Sequence, residues 1–323
     1  MDNKEIYRKT IGFSLRRLLW DVVAFLFLAA VTGAGFLLAE KLTDKGLIGL
    51  AVGLLLGIIA ITVFLRYISY TYKAGQIAMM TRAVSEGTLP DDVIGEGKKA
   101  VKERFATVAV FFAATKVIKG VFSQLGQGIV KIGENLGGDS GSAIGSAISI
   151  TIQVIVSYLC DCCLGWVFYR REVKSAKATC EGAVLFFRHG KTLARNLGRV
   201  FGMGLASLAA IGGAFTGIFY LIASRFPDTF AQLSKEIAEA AVRAETTLPA
   251  GVTEPNNLMW ICAGIVGVIL WNIVHSAFIR PFVLVGVLRN YIQSGMQDVP
   301  SENSFAMLDS KSAKFRKLHE QLA

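Results

Sequence analysis

Proline and histidine are scarce in this chain of 323 residues, at six and three. The histidines (His189, His275 and His319) lie far apart, and no CxxC pair or His/Cys cluster at zinc spacing occurs. No resident metal is therefore expected. The five cysteines do not form a secreted disulfide framework, since Cys160, Cys162 and Cys163 crowd one apolar run. Charge is also thin, at 18% of residues, where a soluble domain carries roughly 25%. There is no Walker loop, nucleophile–base arrangement or carboxylate pair at catalytic spacing. The expectation is a protein that is not an enzyme and takes no cofactor.

The chain has apolar length instead. It is 53% hydrophobic with mean hydropathy +0.51, and several runs reach the ~18 residues or more that mark a transmembrane candidate. The expected class is all-α: a polytopic helical membrane protein of about six spans with interfacial amphipathic helices. The runs fall near 18–39, 46–65, 105–122, 141–169, 200–222 and 258–279. The first is too long for a signal peptide's h-region, usually 7–15 residues. The second carries Gly49, Gly53 and Gly57 four apart, a small-residue ridge that admits another helix closely. The third is interrupted by Lys116 and Lys119, which can snorkel.

Between the runs the chain is polar. Residues 1–17 read as a cytoplasmic amphipathic N-terminus, 18–295 as one six-span membrane domain and 296–323 as a cytoplasmic C-terminal helix. In the connection 66–104, Tyr67, Tyr70 and Tyr72 suit an interface. Leu89-Pro90 breaks the helix there, and Asp91 or Asp92 caps the next. Gly/Ser-rich 133–142 and Pro-flanked 249–257 read as loops, 226–246 as an acidic amphipathic helix and Arg280-Pro281 as a kink.

The net charge of +10 could suggest nucleic acid, but its placement argues for topology. The two chain ends (to residue 17 and from residue 280) and the connections 66–104 and 170–199 hold 26 of the 34 basic residues. Retention of lysine and arginine on the cytoplasmic side puts both termini there. The plasma (inner) membrane is the expected site. Anionic lipid headgroups are the expected partners of the basic loops, with a homo-oligomer or membrane complex as further partners and no nucleic acid.

The run 141–171 holds one carboxylate, Asp161, and ends at Arg170-Arg171. An acid at membrane depth is costly and asks for a partner or a purpose. One reading is a cation-binding or proton-coupling group; the other is a buried acid hydrogen-bonded to a neighbouring helix. The sixth run offers counterparts in Trp271, Asn272, His275 and Arg280, of which Asn272, His275 and Ser276 share a helical face. Tyr158, Trp166, Trp260 and Trp271 could cage a quaternary ammonium, although interfacial anchoring accounts equally for Trp166 and Trp260. The clustered cysteines serve as lipidation or soft-metal groups, or as small buried hydrophobes.

From Cys160 to Phe201 (CDCCLGWVFYRREVKSAKATCEGAVLFFRHGKTLARNLGRVF) the chain resembles the choline transporter-like membrane proteins. It shares a cysteine-rich span end, then a cytoplasmic amphipathic segment with Cys180, Ala183 and Asn196-Leu197-Gly198-Arg199-Val200. HSAFIRPFVLVGVLRN and the charged tail FAMLDSKSAKFRKL are similar to that family's last span and C-terminus. This chain departs at Arg280-Pro281, where the family usually has an acid, and it lacks the large extracellular domain. The resemblance implies transport of an organic cation or a lipid-linked role. The leading expectation is thus a permease or channel-like transporter for a small solute. Its substrate-binding group would be Asp161, Tyr158, Trp271, Asn272 and His275, with Asp161 compensating the charge. The rival is a non-transporting scaffold, lipid-binding or assembly subunit working through its glycine ridges and basic loops.

Overall fold

Few prolines and abundant alanine, leucine and other unbranched residues favour helix, and among the described residues there is no strand. The computed structural model describes the backbone except at 44–45, 135–140, 247, 250, 311 and 321–323. Its description of side chains further leaves out 69, 108, 122, 125–153, 155, 187, 189–201 and 302. The Gly/Ser-rich segment expected as a loop therefore falls largely outside the described residues.

The helices are α1 (Asn3–Thr43), α2 (Gly46–Ile68), α3 (Ala74–Glu86), α4 (Val93–Arg104), α5 (Val108–Glu134), α6 (Gly141–Tyr169) and α7 (Ser175–Ser207). They continue with α8 (Gly213–Ala223), α9 (Pro227–Arg243), α10 (Pro255–Val274), α11 (Arg280–Gln297), α12 (Ala306–Asp309) and α13 (Ala313–Glu320). Three π-helical turns, Ser69–Lys73, Leu208–Gly212 and His275–Ile279, join α2 to α3, α7 to α8 and α10 to α11. Among the described residues four helical stretches are long and apolar enough to cross a membrane: Asn3–Thr43, Gly46–Glu86, Gly202–Ala223 and Pro255–Gln297. The runs near 105–122 and 141–169 are α5 and α6, and the described apolar part of α6, Val156–Tyr169, is shorter than a span.

The chain divides into two compact units. One comprises Leu18–Leu65 and Gly202–Ile279. Its surface is apolar: Leu26 and Leu55 are each 60% exposed and Leu221 is 66% exposed, as suits side chains that meet lipid rather than water. Here α2 lies on α1 along the glycine ridge. A Cβ on Gly53 would sit 2.7 Å from the Val31 carbonyl, one on Gly57 2.6 Å from Leu28 Cδ1, and one on Gly49 would run into the Gly35 carbonyl. The ridge serves packing within the chain. Tyr220 of α8 stacks on Trp260 of α10 at 4.0 Å between centroids.

The other unit comprises Met1–Arg17, Arg66–Phe201 and Arg280–Ala323. It has the close-packed apolar core of a globular domain, with Phe13, Met80, Phe105, Trp166, Leu288, Phe305 and Phe315 essentially buried. Local signals set its boundaries. Gly87, at φ +75°, ends α3, a left-handed conformation that glycine adopts without penalty. Asp92 caps α4 by accepting from the Gly95 N–H at 2.8 Å. Trp166 is fully buried and donates to Glu181 Oε2 at 3.0 Å, so it is not an interfacial anchor. Glu181 also takes both Nε and Nη2 of Arg170, at 2.9 and 3.1 Å. The tail forms a short 3₁₀ turn, α12 and α13 rather than one charged helix. It is held to α5 where Gln124 Oε1 accepts from Ser312 Oγ and the Lys314 N–H.

Candidate functional site

Asp161 lies on α6 within the globular unit and is 4% exposed. An isolated buried carboxylate would be strongly disfavoured, and both of its oxygens are spoken for. Lys73 Nζ lies 2.7 Å from Oδ1. Arg280 Nη2 and Nε lie 2.5 and 3.2 Å from Oδ2. Arg280 Nη2 also donates to Ser157 Oγ at 2.6 Å and to the Ser157 carbonyl at 3.2 Å. Its guanidinium lies over the Tyr158 ring, 5.3 Å from the centroid, a cation–π arrangement. Two cations thus face one anion, leaving the cluster at +1.

The π-helical turns help to aim these cations. Lys73 closes the turn Ser69–Lys73 and Arg280 comes directly after the turn His275–Ile279. Each wider turn shifts the helical register of the residues C-terminal to it, a device often found at functional sites. The second turn also lies where Pro281 would otherwise crowd the Ala277 carbonyl, and the helix runs on through Arg280-Pro281 to Gln297 without a break.

Of the residues expected to form a solute site, Asp161 and Tyr158 meet here together with Arg280. Trp271, Asn272 and His275 belong to the apolar unit. There Trp271 Nε1 donates to Ser207 Oγ at 3.0 Å, and its ring lies 5.0 Å from that of His275. Sequence reasoning missed Lys73 and Ser157. The connection 66–104 also holds Arg66, Arg82 and four further basic residues after Glu86, so nothing in the sequence singles Lys73 out. Cys162, Cys163 and Cys180 are buried, which matches small hydrophobes, and Cys160 is partly so. Among the described residues no three His, Cys, Asp or Glu side chains converge as a metal site needs.

No protein family matches the chain, and neither a curated protein nor a solved structure shows significant similarity to it. The choline transporter-like resemblance therefore rests on the sequence segments that suggested it, and the side chains of its Asn196–Val200 part lie outside the described residues.

Proposed function

We propose that this protein is a membrane-held scaffold whose globular unit takes anionic partners, lipid headgroups foremost. The observation that carries this reading is the division of charge. The globular unit holds 29 of the 34 basic and 16 of the 24 acidic residues, a net +13, against 5 and 8, a net −3, in the apolar unit. A field of that sign attracts anionic surfaces by about 1 kcal/mol per basic residue close to the membrane. The internal compensation of Asp161 supports it as well, because a carboxylate already paired to two cations has little left for a cationic solute.

In this reading the four apolar stretches are the spans, and α5 and α6 belong to the globular unit; the six-span arrangement would count those two as crossings. Either even number leaves the termini on one side. Arg17, Arg66, Arg199 and Arg280 each stand at or beside a point where the chain passes between the units. By the positive-inside rule that side is cytoplasmic, at the plasma (inner) membrane. The test is thermal unfolding of the purified protein in neutral detergent with added phosphatidylglycerol or phosphatidylcholine. Phosphatidylglycerol should raise the melting temperature, and 0.5 M salt should abolish the rise. Equal effects of the two lipids would defeat the reading.

A permease for a small cationic solute is the second reading, favoured by the π-helical turns Leu208–Gly212 and His275–Ile279 flanking the Trp271–Ser207 contact. It predicts choline uptake by proteoliposomes that is lost in Trp271→Ala while the protein stays folded.

A further inference from the structure

Away from the Asp161 cluster, the described residues of the globular unit include a concave feature of a different kind. Where the C-terminal ends of α4 and α6 meet, Ala100, Glu103, Arg104, Phe168 and Arg171 line a pocket of about 170 Å³. Phe168 is buried and Ala100 half-buried, so the lining is partly apolar. The two arginines are held in place by backbone. Arg104 Nη1 donates to the carbonyls of Arg171 and Val173 at 3.5 and 2.9 Å, and Nη2 donates to that of Arg170 at 3.2 Å. This anchors the segment after α6 and fixes the guanidinium. Arg171 Nε donates to the Phe168 carbonyl at 3.3 Å.

Some donors are left over. Arg104 Nη2 makes one hydrogen bond among the described residues and has a second N–H to give, whereas the buried Nε is closed to a ligand. Among the described residues the Arg171 guanidinium bonds through Nε, which leaves its Nη groups to meet a ligand. Burial draws the Arg104 pKa below its ordinary value, with Glu172 acting in the opposite sense, and a bound anion would offset that burial. Planar guanidinium forks suit oxyanions better than any other ligand class. Glu103 in the lining reduces the pocket from two positive charges to one, which disfavours a doubly charged phosphomonoester. The apolar lining gives room to carbon attached to the anion.

We propose that this pocket binds a phosphodiester oxyanion, held by Arg171 Nη and Arg104 Nη2, with its ester carbon against Phe168 and Ala100. The proposal deepens the anionic-headgroup reading and rests on it only for the source of the ligand. That source is a phospholipid headgroup or a soluble phosphodiester.

Titration calorimetry of the full chain in neutral detergent tests it, with glycerophosphoglycerol and dihexanoyl-phosphatidylglycerol as probes. Arg171→Gln, at an exposed position, should weaken both by about tenfold, the loss of one charge-assisted contact. Glu103→Gln, also exposed, should tighten both by about threefold by removing a like charge. Melting curves establish that the variants are folded. The proposal is overturned if neither probe binds, if Arg171→Gln binds within twofold of the unaltered protein, or if Glu103→Gln binds more weakly. Tighter binding of the lipid than of the soluble ester assigns the pocket to headgroups. Equal binding keeps the pocket and removes the lipid. If phosphatidylglycerol stabilises the unaltered protein and Arg171→Gln alike, the pocket falls while the broader headgroup reading stands.

Discussion

Replacing Asp161 by Asn preserves the shape of the side chain and removes its charge, which leaves Lys73 and Arg280 facing each other across a buried site. Removing one partner of a buried ion pair costs about 3–5 kcal/mol. The cost here should be lower, because the side chains of Lys73 and Arg280 retain 26% and 22% exposure and Arg280 keeps Ser157. About 2–3 kcal/mol is a reasonable figure. For a unit of roughly 200 residues, at about 2–4 °C per kcal/mol, this means a fall of about 4–12 °C in melting temperature. Fluorescence-detected size-exclusion chromatography after heating measures it in detergent extracts. A second variant isolates the cause: Lys73→Met, Asp161→Leu and Arg280→Met together remove every charge and should regain most of the loss, as apolar replacement of buried ion clusters often does. If Asp161→Asn melts within about 1 °C of the unaltered protein, the carboxylate is not the tie described here. The permease reading, in which it serves a solute instead, would then gain.

Other substitutions probe the packing. Gly53→Leu puts side-chain atoms into the Val31 backbone, 2.7 Å from the first of them. It should destabilise the α1–α2 contact by at least the ~1–3 kcal/mol typical of overpacking without changing the protein's oligomeric mass in light scattering. Cys180 is buried, and burial pushes its thiol pKa up to about 12. Since the reactive form is the thiolate, maleimide should label Cys180 of the folded protein negligibly at pH 8 and readily once it unfolds; labelling at equal rates in both states would contradict the burial.

The four apolar helical stretches were legible because apolar length is a local property: 46–65 and 258–279 need no knowledge of neighbours. The cap of α4 was legible to within the pair Asp91 and Asp92 for the same reason, since a cap is decided within three residues, and Asp92 is the one that fills it. The partner of Asp161 was half legible. A buried acid requires a cation, which pointed to Arg280 across 119 residues of sequence. Lys73 escaped because a π-helical turn precedes α3, so a wheel drawn at 3.6 residues per turn misplaces it. Trp166 read as either a cation-cage aromatic or an interfacial anchor because its acceptor, Glu181, lies on the next helix and the pair carries no periodic signature. The connections 66–104 and 170–199 read as polar segments carrying interfacial amphipathic helices. Described residues of both, such as Met80 and Ala183, pack the globular unit's interior, and only tertiary contact reveals which face of such a segment is inside.

The three-part make-up of the globular unit also governs the order in which it can be finished during synthesis. Asp161 leaves the ribosome well before Arg280, and at about 5–20 residues per second the 119 intervening residues impose a wait of roughly 6–24 s. Through that interval Lys73, already synthesised, is the carboxylate's only available counter-ion of the two, and the segment from Arg280 onward closes the interior last. Ribosomal stalling between those positions should therefore leave a protease-sensitive product, even though most of that unit's residues would already have been made.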